Sequence, residues 1–76
     1  MDANGRREAI AAEVRAELAR QRKTQRDAAE ILDLPQPSVQ LRLAGKRSFR
    51  AEELTTLADA LGVPVAQFLT TPERVG

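Results

Sequence analysis

The sequence predicts an all-α fold, and three observations carry that prediction. Ala and Leu, the residues that lose least on entering a helix, recur along the whole chain. No stretch alternates apolar and polar residues with the Val, Ile and Thr enrichment of a strand. Apolar residues recur instead at helical spacing, between separate start and stop signals. With 76 residues there is room for one core, so residues 1–76 read as a single domain. At 42% hydrophobic the chain can fold rather than stay disordered. Its only aromatic residues are Phe49 and Phe68, so Leu, Ile, Val and Ala must build the core.

Asn4-Gly5 reads as the start of a long first helix that runs to about Arg22. Ile10, Val14 and Leu18 fall four apart and form its buried stripe. Thr24, with Asp27 three residues later, is a capping-box variant that opens a second helix over about 24–33. Ala28, Ala29 and Leu32 face inward there. Leu34-Pro35 closes it, because the residue before a proline avoids the α region. The third helix starts at Gln36 and spans about 36–44. Pro37 is tolerated in its first turn, where a missing N–H has no helical partner to lose. Gly45 ends it. The fourth runs from about Ala51 to Leu61, with Glu52 and Glu53 at the dipole-favoured end and Leu54, Leu57, Ala58 and Leu61 on its apolar face. Gly62 stops it. Pro64 opens a short fifth helix carrying Val65, Phe68 and Leu69, and Thr70 to Gly76 reads as a frayed tail.

Composition excludes several kinds of chemistry. There is no Cys and no His, which removes disulfides, thiolate nucleophiles and the usual zinc ligands. The remaining carboxylates and hydroxyls form no recognisable catalytic arrangement, so an enzyme is not expected, and no cofactor, metal or small-molecule ligand is implied. No apolar run approaches the ~20 residues of a membrane span. MDANGRREAI lacks the apolar centre of a signal peptide, which makes a cytoplasmic protein the default expectation.

Net charge is only +1, but its distribution is uneven. Residues 1–33 hold seven basic and seven acidic side chains. Residues 34–50 hold four basic ones, Arg42, Lys46, Arg47 and Arg50, and no acid. Residues 51–76 hold one basic and four acidic. Two readings stand: chance in a short window, or a positive face centred on the third helix.

On a helical wheel Val39 and Leu43 fall together and define the core side of the third helix. Pro37, Leu41 and Ala44 fall opposite, flanked by Gln36, Ser38 and Gln40, while Arg42 sits near the edge of the buried seam. Leu41 is a large aliphatic on the expected outer face. It is either a scattered surface leucine or a residue that meets a thymine methyl group. A short helix set at an angle to a second one suits the DNA major groove, and a Gln amide can both donate to and accept from an adenine edge. Lys46, Arg47 and Arg50 are either solvated loop charges or contacts to the passing phosphate backbone.

Several pieces then combine at joint spacing: Thr24-Gln25 opening the second helix, Ala29 at a tight-packing position, Gln36 opening the third, Val39, Gly45-Lys46-Arg47, and Leu57-Ala58-Asp59-Ala60-Leu61-Gly62-Val63. From Thr24 to Leu69 the chain resembles, without gaps, the helix-turn-helix domain of the Xre family, which includes small phage repressors and Cro-like proteins. The resemblance implies a five-helix bundle of the phage-repressor (lambda-repressor-like) type, with the third helix in the major groove. It implies that Gln25 holds a phosphate and braces Gln36, that Gln36 contacts a base, and that Pro37, Ser38 and Leu41 stand at other base-reading positions. Gln40 joins that candidate set. Lys23, Thr24 and Gln25 join Lys46, Arg47 and Arg50 as candidate phosphate contacts. Three positions depart from the family pattern. Arg42 replaces an apolar or aromatic residue, which would thin the seam of the third helix. Asp33 stands where glycine is common in the turn. Pro37 cannot hydrogen-bond a base edge through its side chain.

The function implied is sequence-specific binding of double-stranded DNA by a phage or bacterial repressor acting through operator occupancy. One alternative is an antitoxin that binds DNA and a toxin partner. Another is a helical protein-interaction module that has lost DNA binding, which is to be judged by whether Gln36, Gln40 and Lys46 to Arg50 lie on one exposed basic face. Phe68 and Leu69 are adjacent on a short helix. Either both are half-buried, or one closes the bundle and the other is left outside for weak self-association.

Overall fold

Several of the described helix ends lie where a cap or a returning backbone N–H is available for the open backbone groups. The computed structural model describes residues 3–69. They form α1 (Ala3–Arg20), α2 (Gln25–Leu32), α3 (Gln36–Leu43), α4 (Ala51–Leu61) and α5 (Ala66–Leu69), with no strand among the described residues. The expected tail from Thr70 lies outside them.

The start of α1 corrects the sequence reading, since Asn4 and Gly5 lie inside the helix. Tertiary contacts hold these first turns. Two such contacts reach across from the loop after α3. Glu8 lies so close to Gly45 that a Cβ added there would sit 2.9 Å from its Cγ. Arg7 Nε donates to Ser48 Oγ at 3.2 Å. The other end of α1 stops at Arg20, before the expected Arg22. Arg22 is left-handed (φ 58°), and the Lys23 N–H turns back to the Leu18 carbonyl at 2.8 Å.

At α2 the capping box forms as expected. Thr24 Oγ1 accepts from the Asp27 N–H at 3.1 Å, and Asp27 Oδ2 accepts from the Thr24 N–H at 2.8 Å. Asp33 closes α2 in the left-handed region (φ 56°, ψ 47°), doing what a glycine would do there, and the Leu34 N–H returns to the Ala29 carbonyl at 3.0 Å. Pro35 precedes α3 in extended conformation, and its carbonyl accepts from the Ser38 N–H at 3.0 Å. Helix α4 has the expected bounds. Its first turn is closed by Glu53 Oε1, which accepts from the Arg50 N–H at 2.9 Å, and its last by Gly62 at φ 72°. Pro64 accepts from the Gln67 N–H at 3.0 Å and so opens α5, leaving Val65 just ahead of the helix proper.

Helix α1 packs on α3 and α5, and α2 packs on α3 and α4. Between them lies one core of Val14, Leu18, Ala28, Ala29, Val39, Leu43, Leu54, Leu57, Ala58, Leu61 and Phe68. Ile10 and Leu32, expected to be inside, are partly buried against it. Phe68 is completely buried, whereas Leu69 is 54% exposed, so the two neighbours divide as one core residue and one surface residue.

A buried carboxylate ties the far end together. Glu17 Oε1 accepts from Arg20 Nη2 at 2.8 Å and from Gln67 Nε2 at 2.6 Å, and Oε2 accepts from Gln21 Nε2 at 2.7 Å. Gln21 also donates to the Leu61 carbonyl at 2.8 Å. The carboxylate thus ties the end of α1 to α5, and Gln21 carries the link on to the last residue of α4. The amide of Gln21 and the guanidinium of Arg20 outweigh burial and hold Glu17 below its ordinary pKa.

Candidate nucleic-acid interface

Helix α3 divides cleanly into two faces. Val39, Arg42 and Leu43 are buried, and Ser38 is half-buried beside them. Gln36, Pro37, Gln40, Leu41 and Ala44 at the helix end are all exposed. At about 100° per residue the exposed five occupy one contiguous arc of about 140°. It carries no charge. It offers two amides that can both give and accept hydrogen bonds and three apolar groups, Leu41 being 37% exposed.

The inner side is held by packing and by one ion pair. Arg42 does not thin the seam as expected; it fills it. Its Nε donates to Glu53 Oε1 at 3.0 Å, Nη2 donates to Oε2 at 3.3 Å, and Nη1 donates to the Ser38 carbonyl at 3.1 Å. Both side chains are about nine-tenths buried, at 10% and 11% exposure. Burial raises the Glu53 pKa, but the Arg50 N–H and the Arg42 guanidinium outweigh it and keep the carboxyl below its ordinary value. Arg42 is therefore spent inside the fold, and the positive stretch inferred for residues 34–50 reaches the surface only through Lys46, Arg47 and Arg50. From α1, Arg15 Nη1 donates to the Leu43 carbonyl and closes the last turn of α3.

The loop beyond α3 is tied to the outer arc. The N–H groups of Lys46 and Arg47 both reach the Leu41 carbonyl, at 2.9 and 3.3 Å. The two cationic side chains therefore leave the chain directly beside the last turn of the arc, and both are exposed. Arg50 is exposed too, with only a long 3.8 Å contact to Glu52 in solvent. Gln36, Gln40, Lys46, Arg47, Ser48 and Arg50 are each exposed, and Phe49 is half-buried.

At the other end of the motif, Lys23 and the cap residue Thr24, just ahead of α2, and Gln25, its first residue, are all exposed. Thr24 has committed its N–H and one oxygen lone pair to the cap. The Thr24 N–H, and then its hydroxyl, hold Asp27 below its ordinary pKa. Arg26 is exposed beside them and was not singled out from the sequence, although its position next to Gln25 was the available signal. Arg7 was missed as well. Its partner Ser48 lies 41 positions away, and no local pattern connects them. Among the described residues no group of His, Cys, Asp and Glu could hold a metal ion, and no helix is long and apolar enough to cross a membrane.

Comparison with curated proteins finds no match. Among solved structures, the hypothetical transcription factor NHTF from Neisseria shares the fold, with a TM-score of 0.81 at 22% identity over 95% of this chain and 83% of that one. A family model described as helix-turn-helix matches residues 14–68, which takes in the α2–α3 motif with the helices that support it. The chain belongs to the Xre/Cro-like helix-turn-helix family of DNA-binding transcriptional regulators.

Proposed function

We propose that the chain is a sequence-specific repressor of phage or bacterial type, acting in the cytoplasm of a bacterial cell by occupying duplex DNA that polymerase must use. The observation that carries this reading is the uncharged outer arc of α3 with exposed cations beyond both ends of the motif. A neutral arc suits base edges, which differ in hydrogen-bonding groups and methyls rather than in charge. The flanking cations suit phosphates, which are the same at every step.

In this reading Gln36 and Gln40 take base edges. Leu41 and Pro37 meet apolar groups such as the thymine methyl, and Ser38 contributes only at the margin, being half-buried. Lys46, Arg47 and Arg50 hold one stretch of backbone, and Lys23, Thr24 and Gln25 hold another. The surface position of Leu69 next to the buried Phe68 supports a second copy docking at α5, so that two recognition helices address half-sites about 34 Å apart.

Selection of bound duplexes from a random pool tests the proposal. The expected result is an enriched site with two-fold symmetry. Failure to enrich any sequence, with duplex binding retained, would remove the specificity reading and leave only general DNA affinity.

A further inference from the structure

The matched family region begins at residue 14, but α1 begins at Ala3. The preceding turns of α1 lie against the loop after α3, and the two enclose a groove of about 270 Å³. Its lining is Arg6, Arg7, Ile10, Ser48 and Phe49. Ile10 and Phe49 are half-buried and give it an apolar floor. Arg7 Nε is held by Ser48 Oγ, an anchor that leaves the Nη edge of the guanidinium for another acceptor.

Among the described residues neither arginine has an ion-pair partner. The ion pairs among the described residues are Glu17–Arg20, Arg42–Glu53 and Arg50–Glu52. The groove is continuous with a segment already assigned to the DNA backbone, because Ser48 directly follows Lys46 and Arg47. Its placement is fixed, since Glu8 meets Gly45 so closely that no side chain fits between α1 and the loop.

We propose that this groove is a further DNA-backbone site, in which Arg6 and Arg7 take a phosphate and Ile10 and Phe49 meet the adjoining deoxyribose. The inference rests on the DNA-binding reading and extends it to a helix segment outside the recognition motif. Guanidinium groups bind phosphate oxygens through paired N–H donors, and the apolar floor suits a sugar face rather than a base edge. The contact adds affinity without adding sequence preference, and it places α1 alongside Lys46 and Arg47 as a second grip on the same strand.

The test measures affinity for a mixed-sequence duplex across a salt series, using wild type, Arg6→Ala/Arg7→Ala and Arg6→Lys/Arg7→Lys. Each lost phosphate contact should reduce the log–log salt slope by about 0.9. The alanine pair should therefore lower its magnitude by roughly 1 to 2 and weaken all sequences alike. The lysine pair should keep most of the slope, which a purely structural role of the Arg7–Ser48 contact would not allow. A wild-type slope in the alanine pair, with the helical spectrum intact, overturns the inference and leaves the DNA-binding reading standing. So does an unchanged slope accompanied by loss of a saturable response of the Ser48 amide to inorganic phosphate, which would mark a free-anion site. A wild-type chain without duplex affinity at any salt concentration overturns both.

Discussion

Arg42 and Glu53 meet edge to edge, Nε to Oε1 at 3.0 Å and Nη2 to Oε2 at 3.3 Å, and join α3 to the first turn of α4. The pair does two jobs at once. Glu53 Oε1 also accepts from the Arg50 N–H, so the carboxylate that turns Arg42 inward also starts the helix that follows. Rotation of α3 about its axis is set from behind, by side chains buried away from its exposed arc.

Arg42→Ala should therefore cost about 3 kcal/mol, because it leaves a carboxylate buried without its partner. Arg42→Lys should recover little of this, since one ammonium cannot serve both carboxylate oxygens and the Ser38 carbonyl. Urea denaturation of the three proteins measures both effects. A wild-type midpoint for Arg42→Ala would show that the pair is incidental.

Acid should unfold the protein through three carboxylates. Glu17, Asp27 and Glu53 all have folded pKa values below their ordinary ones of 4.5, 3.8 and 4.5. A depressed folded pKa means that the unfolded chain takes up protons first as pH falls. The stabilisation is complete above the ordinary values and is lost as pH drops through the lowered ones. Thermal midpoints should thus hold steady from neutrality to about pH 5 and fall below pH 4. Glu17→Gln should blunt that acid limb while lowering the midpoint at neutral pH.

Reading and positioning should separate in mutants. Gln36→Ala is expected to cost about 1–3 kcal/mol on the selected site and to relax preference at one base pair, with little change on random DNA. Lys46→Ala should weaken both kinds of DNA alike. Together Lys46, Arg47 and Arg50 should contribute roughly −3 to the log–log salt slope. Parallel anisotropy titrations on cognate and random duplexes provide the check, and identical behaviour of the two mutants would dissolve the distinction.

Leu69→Asp should leave the thermal midpoint close to wild type, because the side chain is more than half exposed. It should reduce binding to a palindromic site more than to a single half-site. Phe68→Ala is the contrasting case and should cost about 3–5 kcal/mol as a core cavity. Sedimentation of the free protein and of its complex reads the outcome for Leu69. One copy per palindromic duplex in the wild type would end the proposed role of α5.

What could be read from the sequence was whatever is written locally. The bounds of α4 follow from its glutamates, its leucine stripe and Gly62, all inside one stretch of chain. The cap of α2 needs only Thr24 and Asp27. Even Asp33 signalled its left-handed turn, since an aspartate tolerates that region better than most side chains. The misses are long-range. Arg7 and Glu8 of α1 meet Ser48 and Gly45, two helices further along the chain. Arg42 looked like a weak seam residue because its partner sits on α4, 11 positions on. Glu17 gave no sign of its role, as Gln67 lies 50 residues away.

The two faces of α3 also bear on how such a protein can change its target. None of Gln36, Pro37, Gln40, Leu41 and Ala44 is buried. Substitutions there trade against solvent, not against neighbours in the core, so the surface that would choose an operator can drift at little cost in folding. A combinatorial library over these five positions should yield mostly folded proteins with altered preferences. The lineage of such a domain would then be free to move between operators one residue at a time, while Arg42, Glu53 and Gly45 stay fixed behind it.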